Sequence, residues 1–165
     1  MAISVAAFVM SAVALWLSNR NWRQSNRPIV TAKVVARSAG NLGTAYEVVI
    51  TNGGNRPAAG VRLECDDGHL AGALSGSAGD PLVEDVRACF KPEATVPLLL
   101  HGESVANAFG TTCRAEDGPT WKHGARIPVR VRYRDLSGRA YSERMDLVIR
   151  DSTAFAGGSW AKPKE

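Results

Sequence analysis

Residues 126–149 read RIPVRVRYRDLSGRAYSERMDLVI, and this stretch decides the fold. Apolar side chains take every second position of its first half: Ile127, Val129, Val131 and Tyr133. After the turn-forming residues DLSG, the apolar positions return: Tyr141, Met145, Leu147 and Ile149. Alternation with a period of two is typical of strands that bury one face. The stretch therefore predicts a β-hairpin with one face in a core.

Shorter runs of the same kind precede this hairpin and are separated by turns rich in Gly and Pro. They predict strands at Ile29–Ala36, Ala45–Asn52, Val61–Cys65 and Thr95–Leu100, and a further strand that begins at Val105. Residues 66–92 stay open, with one short strand around Leu70–Leu74 and a strand or loop over Leu82–Phe90. About seven short strands with no helix after residue 27 predict an all-β, immunoglobulin-like antiparallel β-sandwich.

Two segments also carry a resemblance to a known family. Residues 46–63, YEVVITNGGNRPAAGVRL, resemble the V-x-N-x-G-x-x-P-A-x-x-V-x-L segment of bacterial immunoglobulin-like modules of the CARDB type, and residues 100–104, LHGES, resemble their L-x-P-G-E-S turn. His101 replaces the usual proline. The resemblance implies a fold and no activity, with Asn52, Gly53 and Gly102 as residues that shape the backbone. The whole layout is similar to small single-span membrane proteins of bacteria.

The N-terminal run Ala2–Leu17 contains no charged side chain. A transmembrane helix needs about 20 apolar residues and at least about 17, so the run just suffices when Ser18 and Asn19 extend it. Aromatic and basic residues suited to a membrane boundary follow the run: Trp16, Arg20, Trp22, Arg23 and Arg27. We expect one N-terminal transmembrane helix, a signal-anchor, ended by Asn26-Arg27-Pro28.

Two other interpretations of this run stay open. Ala12-Val13-Ala14 is similar to a signal-peptidase site, although it leaves a short apolar region and no positive charge precedes it. The run could also be a buried helix of a soluble protein. If it is an anchor, the arginines on its C-terminal side predict that the domain faces the cytoplasm from a single-pass position in the inner membrane.

Small residues recur along one face of the predicted helix: Ser4, Ala7, Ser11, Ala14 and Ser18. Such a face lets helices approach closely in lipid, which predicts self-association or packing against a partner's helix. The alternative is that Ala and Ser are ordinary filling residues. We divide the chain into residues 1–27, the anchor and its basic flank, residues 28–151, the sandwich, and residues 152–165, a flexible tail.

Charge and cysteine content limit the function further. The net charge is +4, and three of the positive charges lie beside the apolar run, so the domain alone is close to neutral. We therefore expect no nucleic-acid partner. Cys65, Cys89 and Cys113 are far apart in the sequence. We expect them to be partly buried, to pack as small hydrophobic side chains and to lie in a reducing compartment. One disulfide and one free thiol is the alternative for an exported domain.

The sequence shows no recognisable catalytic or cofactor-binding pattern. Residues 102–106, GESVA, lack the last glycine of a nucleophile elbow. We place His69, His101 and His123 on separate loops and predict no metal site from them. Whether Asp66, Asp67 and Asp117 gather to bind calcium stays open. There is no phosphate-binding glycine motif, which argues against nucleotide binding, and no convergent set of acid, base and nucleophile. We therefore expect no enzyme, no cofactor and no small-molecule substrate.

One charged pattern remains, on the hairpin. Arg126, Arg130, Arg132 and Arg134 alternate with the apolar positions, and Arg139 and Arg144 lie nearby. This stripe could meet acidic lipid or an acidic protein; alternatively, Glu47, Glu143 and Asp146 neutralise it as a solvated face. We expect a non-enzymatic, membrane-anchored binding or assembly module, such as an accessory subunit of a membrane complex. An exported envelope or surface-adhesion domain is the alternative.

Overall fold

The structure is a computed structural model of the 165-residue chain. It describes residues 2–40, 43–75, 80–112 and 120–150, with the side chains of residues 2–4, 6, 23–24 and 38–40 left out. The predicted tail, Cys113 and Asp117 lie outside the described residues.

The chain begins with a long helix and continues as strands interrupted by two short helices. The elements are α1 (Ala2–Ser25), β1 (Val30–Gly40), β2 (Gly43–Asn52), β3 (Ala58–Cys65), α2 (Asp67–Ala73), α3 (Pro81–Ala88), β4 (Thr95–Leu99), β5 (Ser104–Thr111), β6 (Arg126–Arg134) and β7 (Ala140–Val148). Helix α1 ends three residues before Pro28, as predicted. None of the helices in the described part of the chain is long and apolar enough to span a membrane.

The strands form two antiparallel sheets. One has the order β1-β2-β5 and the other β4-β3-β6-β7. The predicted hairpin is confirmed: β6 and β7 pair from Arg126 opposite Val148 to Arg134 opposite Ala140. Its apolar residues face the other sheet, and Ile127, Val131 and Leu147 are fully buried. The predicted antiparallel β-sandwich is therefore present.

The core lies between the sheets and extends to the end of the sandwich far from α1. There Trp121, in the loop before β6, packs against Phe109 of β5 with the rings tilted by 32° and their centroids 4.8 Å apart. The Trp121 indole N–H donates to the Phe109 carbonyl. Phe90 meets the other side of Phe109 edge-on. Aromatic side chains bury a large apolar area each, so these rings close the core at this end of the sandwich.

Helices α2 and α3 show that the expectation of no helix after residue 27 is wrong. Asp66 caps α2 by accepting the Gly68 N–H at 2.9 Å, and Asp80 caps α3 in the same way through the Leu82 N–H. Pro81 then takes the first turn of α3, where its missing N–H costs nothing. The predicted short strand at Leu70–Leu74 is reduced to one bridge, between Leu74 and Trp121. The predicted strand or loop at Leu82–Phe90 is mostly α3.

Asn52, at the end of β2, joins the two sheets. It is fully buried, and its side-chain oxygen accepts the N–H groups of Ile29 and Gly54. Its amide donates to the carbonyls of Arg56 at 2.7 Å and Leu99 at 3.0 Å. A fully satisfied buried amide of this kind fixes three chain segments at once. Asn52 therefore shapes the backbone, as expected.

The glycine that this turn needs is Gly54 and not Gly53. A Cβ on Gly54 would lie 2.3 Å from the Ile29 nitrogen, whereas a Cβ on Gly53 would meet nothing within 4 Å. In the resembling motif, the glycine two residues after the asparagine falls on Gly54. Gly102 has a φ of +73°, which favours glycine and fits the predicted turn. His101 in that turn hydrogen-bonds the Gly54 carbonyl at 2.6 Å.

Candidate functional site

Helix α1 leaves its apolar side chains uncovered. Every residue from Ala7 to Trp22 is exposed, and Phe8, Met10 and Leu15 have relative exposures of 75%, 70% and 73%. Large apolar side chains in one continuous patch are rare on the surface of a soluble monomer. The sandwich therefore leaves this apolar surface open to other contacts.

The end of α1 is fixed to the sandwich by polar and aromatic contacts. The Asn55 amide donates to the Ser25 carbonyl at 3.2 Å, and the Arg56 guanidinium lies 4.8 Å from the centre of the Trp22 ring. Arg27 pairs with Glu143 at 3.6 Å. These contacts set where the helix leaves the sandwich.

The predicted membrane-flank residues fall on this last part of α1 and just beyond it. Arg20 lies over the Trp16 ring at 5.5 Å. Trp22 contacts Arg56, a residue that no sequence pattern indicated. The side chain of Arg23 lies outside the described residues. Aromatic rings beside guanidinium groups suit the boundary between apolar and aqueous surroundings.

The predicted helix-packing face is accessible where it is described. Ala7, Ser11, Ala14 and Ser18 are exposed, and the side chain of Ser4 lies outside the described residues. The Ser11 hydroxyl donates to the Ala7 carbonyl at 2.9 Å, so its polarity is satisfied within the helix. Helix association through this face remains a prediction.

The predicted arginine stripe lies on the outer face of the four-stranded sheet. Because β6 buries its odd-numbered residues, Arg126, Arg130, Arg132 and Arg134 point away from the core. Arg62 and Glu64 of β3 lie on the same face, in register with Arg132 and Arg130. Glu64 pairs with Arg132 at 2.8 Å and with Arg62 at 3.1 Å.

The acidic neighbours predicted for this face are largely wrong. Glu143 belongs to the inward-facing positions of β7 and pairs with Arg27, and Glu47 lies in the other sheet and pairs with Arg37 at 3.2 Å. Asp146 is on the outer face but stands opposite Pro128. Glu64, which the sequence did not indicate, takes their place. The sequence could place Glu64 on a strand face, but not β3 beside β6.

Two arginines of the stripe region are brought directly together. Arg130 and Arg144 are cross-strand partners in the β6–β7 ladder. Within the described ranges neither forms an ion pair, and the same holds for Arg126 and Arg134. Like charges directly opposite each other are unfavourable unless an anion or solvent separates them. Glu64 of β3 stands opposite Arg130 on its other side, so two arginines and one carboxylate meet at this position.

A groove of about 720 Å³ opens beside this arginine pair, at the end of the sheet far from α1. Arg130 and Arg144 line it together with Cys65, His69 and Met145. Acidic groups also line it, namely Glu64, Asp66 and Asp146. The groove thus offers both signs of charge and is suited to a polar protein surface more than to a simple anion.

The described thiols are not activated. Burial, together with the charges of Asp66 and Asp67, raises the pKa of Cys65, whose Sγ contacts the Asp66 carbonyl at 3.4 Å. Burial also raises the pKa of Cys89. Cys65 and Cys89 are free, as predicted. A thiol with a raised pKa is a poor nucleophile at neutral pH.

The residues considered for metal binding have other contacts. Asp66 caps α2 and lies 3.8 Å from His69, and Asp67 lies 4.0 Å from Arg87. His69 belongs to α2, so its predicted place on a loop is wrong. In the part of the chain that the structure describes, no three His, Cys, Asp or Glu side chains are grouped to hold a metal ion.

Comparison with known proteins gives one family. Residues 1–152 match the model of a domain of unknown function, DUF8453. No curated protein matches the chain. The matching family model includes the α1 segment, so the helix and the sandwich belong to one unit of sequence. The resemblance to CARDB-type modules stays a prediction.

Proposed function

The chain belongs to the DUF8453 family, a domain of unknown function, and from that premise we propose that it is a non-enzymatic binding or assembly module held at a membrane by α1. One observation carries the proposal: the exposed apolar side chains of α1, with Phe8 at 75% and Leu15 at 73%. Burying such a side chain contributes about 1.5–3 kcal/mol. The sandwich covers none of those between Ala7 and Trp22.

The membrane span is itself part of the proposal, and the apolar run is short for it. At 1.5 Å per residue, residues 2–17 extend about 24 Å and residues 2–19 about 27 Å. The hydrocarbon core of a bilayer is about 30 Å thick, and a short span is accommodated by local thinning and by long basic side chains that reach the headgroups. Arg20, held over Trp16, is suited to that role.

The distribution of charge supports a cytoplasmic orientation. Arg20, Arg23 and Arg27 all follow the apolar run, and no charged residue precedes it. Basic residues are retained on the cytoplasmic side, so the sandwich would face the cytoplasm from the inner membrane. The free thiols Cys65 and Cys89 fit a reducing compartment.

The strand order supports the finer assignment of an immunoglobulin-like fold. With β1, β2, β3, β5, β6 and β7 as strands A, B, C, E, F and G, the sheets contain A-B-E and C-F-G neighbours, as in that fold. The remaining strand, β4, joins the C-F-G sheet at its C edge. Such sandwiches are common frameworks for binding surfaces.

The outer face of β6 is the proposed binding surface, together with the segment 66–92. The unpaired arginines there would contact an acidic protein surface. Complementary charges of this kind contribute more to the specificity of binding than to its affinity. A binding role, without catalysis, is supported by the raised pKa of Cys65 and by the carboxylate of Asp66 being engaged in a helix cap.

Membrane extraction of the full chain tests the proposal. We expect the chain, expressed in a bacterial host, to stay with membranes washed in alkaline carbonate and to enter solution only with detergent. Replacing Val9 and Val13 with Lys should move it to the soluble fraction, because a charge within a span costs several kcal/mol. The matched control is Leu136→Lys, which changes an exposed apolar residue of the β6–β7 turn.

A reporter fused after Glu165 tests the orientation. A cytoplasmic fluorescent reporter should be active and a periplasm-dependent phosphatase inactive. Release of the unaltered chain by carbonate would contradict the anchor, and an active phosphatase would favour the exported envelope domain instead.

A further inference from the structure

A second groove, of about 400 Å³, lies where α1 meets the sandwich. Its walls are the last turn of α1, the segment after β2 and the β6–β7 turn, which contribute Trp22, Arg56 and Arg139 among others. It lies at the opposite end of the sheet from the groove beside Arg130. Neither Arg56 nor Arg139 forms an ion pair within the residues that the structure describes.

Both guanidinium groups are held in place by aromatic rings. Arg56 lies 4.8 Å from the Trp22 ring centre, and Arg139 lies 5.7 Å from that of Tyr141. Stacking on a ring leaves the N–H groups at the edge of the guanidinium free to donate. These two contacts and the Arg20–Trp16 contact place three arginine–aromatic pairs around the end of α1.

The backbone on each side of the groove is also fixed. The Arg56 carbonyl accepts the buried Asn52 amide at 2.7 Å. The Arg139 N–H donates to the Asp135 carboxylate at 3.0 Å, and the Arg139 carbonyl accepts the Asp135 N–H. Little ordering is therefore needed when the two arginines bind a ligand, which favours affinity.

Asp135 is the acidic group in the groove, and its oxygens are occupied. They accept the N–H groups of Ser137 and Arg139 and the Tyr141 hydroxyl. Burial raises the pKa of Asp135, but these hydrogen bonds, together with the nearby positive charge of Arg139, outweigh it and hold the pKa below its usual value. The carboxylate is thus directed into its own turn, and the two arginines outnumber it.

The depth of the groove matches the phosphate layer of a bilayer. Trp22 follows Leu17 by five residues and Asn19 by three, which places it about 4.5–7.5 Å beyond the end of the run along the helix axis. Headgroups occupy about 5–7.5 Å on each side of the hydrocarbon core. If the apolar run spans the core, Trp22 and the arginine stacked on it lie at the level of the lipid phosphates.

We propose that Arg56 and Arg139 bind the phosphate of an anionic lipid headgroup in this groove, which docks the α1 end of the sandwich on the bilayer surface. Planar guanidinium groups donate two N–H bonds to phosphate oxygens, so the pair suits this ligand. The inference rests on the proposed membrane anchor. It adds a defined lipid site on the sandwich itself.

Native mass spectrometry of the detergent-solubilised full chain, titrated with phosphatidylglycerol or phosphatidylcholine, tests this site. We expect the chain to retain phosphatidylglycerol preferentially. Each basic residue at an anionic membrane surface contributes roughly a factor of five, so Arg56→Gln with Arg139→Gln should weaken phosphatidylglycerol binding about 25-fold. Arg139→Gln alone, in an exposed turn, should weaken it about fivefold and guards against misfolding of the double variant.

The matched control is Lys91→Gln with Arg150→Gln, two exposed cations that line neither groove and form no ion pair within the described residues. It removes the same charge and should change binding less than about twofold. Equal losses in both double variants would show that net charge alone attracts the lipid and would overturn the site. Displacement of the lipid by equimolar inorganic phosphate would assign a free anion instead. Equal binding of both lipids by a carbonate-resistant chain would overturn this inference alone, whereas release by carbonate would overturn the anchor.

Discussion

The sandwich buries its large apolar side chains, whereas helix α1 exposes them. The sandwich encloses its large side chains: Tyr46, Phe109 and Trp121 are at most 2% exposed. Helix α1 has side chains of similar size, and Phe8 and Leu15 are more than 70% exposed. Both regions carry large apolar side chains, but only the sandwich has an interior.

The difference indicates where each region obtains its stability. The sandwich contains its own core and its own buried hydrogen bonds, so its folding depends on side chains that it supplies itself. The apolar part of α1 gains nothing from the sandwich and depends on its surroundings. Stability and membrane attachment should therefore respond to separate sets of substitutions.

The largest effect on stability is expected at Asn52. Asn52→Ala would remove four hydrogen bonds and leave the carbonyls of Arg56 and Leu99 without their amide donor. Each unmet buried polar group costs about 1–3 kcal/mol, so the free energy of unfolding should fall by about 3–5 kcal/mol. Urea unfolding of the full chain in mild detergent, followed by circular dichroism, measures this change.

Asn107→Ala is the matched control for that substitution. The Asn107 amide is exposed and makes one hydrogen bond, to the Cys89 sulfur at 3.3 Å. Its removal should cost less than about 1 kcal/mol. Similar losses at the two positions would show that Asn52 does not hold the two sheets together.

A smaller effect is expected at the neighbouring glycine. In Gly54→Ala the new Cβ would lie 2.3 Å from the backbone nitrogen of Ile29, so the turn would have to shift. Overpacking of this kind costs about 1–3 kcal/mol. Gly53→Ala meets nothing within 4 Å and should leave stability unchanged or raise it by up to about 1 kcal/mol. The same unfolding experiment compares them, and equal effects would contradict the assigned close approach.

The sequence predicted the parts of the fold that depend on local pattern. Alternation placed Ile127, Val131 and Leu147 on one buried face, and the turn at residues 135–138 fixed their register. The same reasoning predicted a strand over Ala45–Asn52, and β2 occupies Gly43–Asn52. A period of two is decided by neighbouring residues, so one sequence is enough to reveal it.

The prediction for the segment after β3 was wrong because short helices produce a weaker periodic pattern in the sequence than strands do. Helix α3 has eight residues, too few for a clear 3.6-residue period. Its start was nevertheless encoded: Asp80-Pro81 followed by Glu84 combines a capping residue, a first-turn proline and an acidic residue near the N-terminus. The glycine and serine residues just before Asp80 are typical of a loop, and they led to the prediction of a loop or strand instead of a helix.

The candidate sites could be predicted only in part, because they depend on which elements become neighbours. Alternation placed Arg130 and Arg132 on an outer face. It could not show that Glu64 would lie beside them or that Arg56 would meet Trp22, since these contacts join residues far apart in the chain. Strand order and the exit of α1 are results of three-dimensional packing.

The smallest effect on stability, and the sharpest test of the comparison, is expected from removing residues 2–17. Because every described side chain from Ala7 to Leu17 is exposed, the free energy of unfolding of the remaining chain should change by no more than about 0.5 kcal/mol. Urea unfolding of both chains in the same detergent measures the difference. A loss of more than about 2 kcal/mol would mean that α1 packs on the sandwich and contributes to its core, and the division into a self-sufficient sandwich and a dependent helix would be wrong.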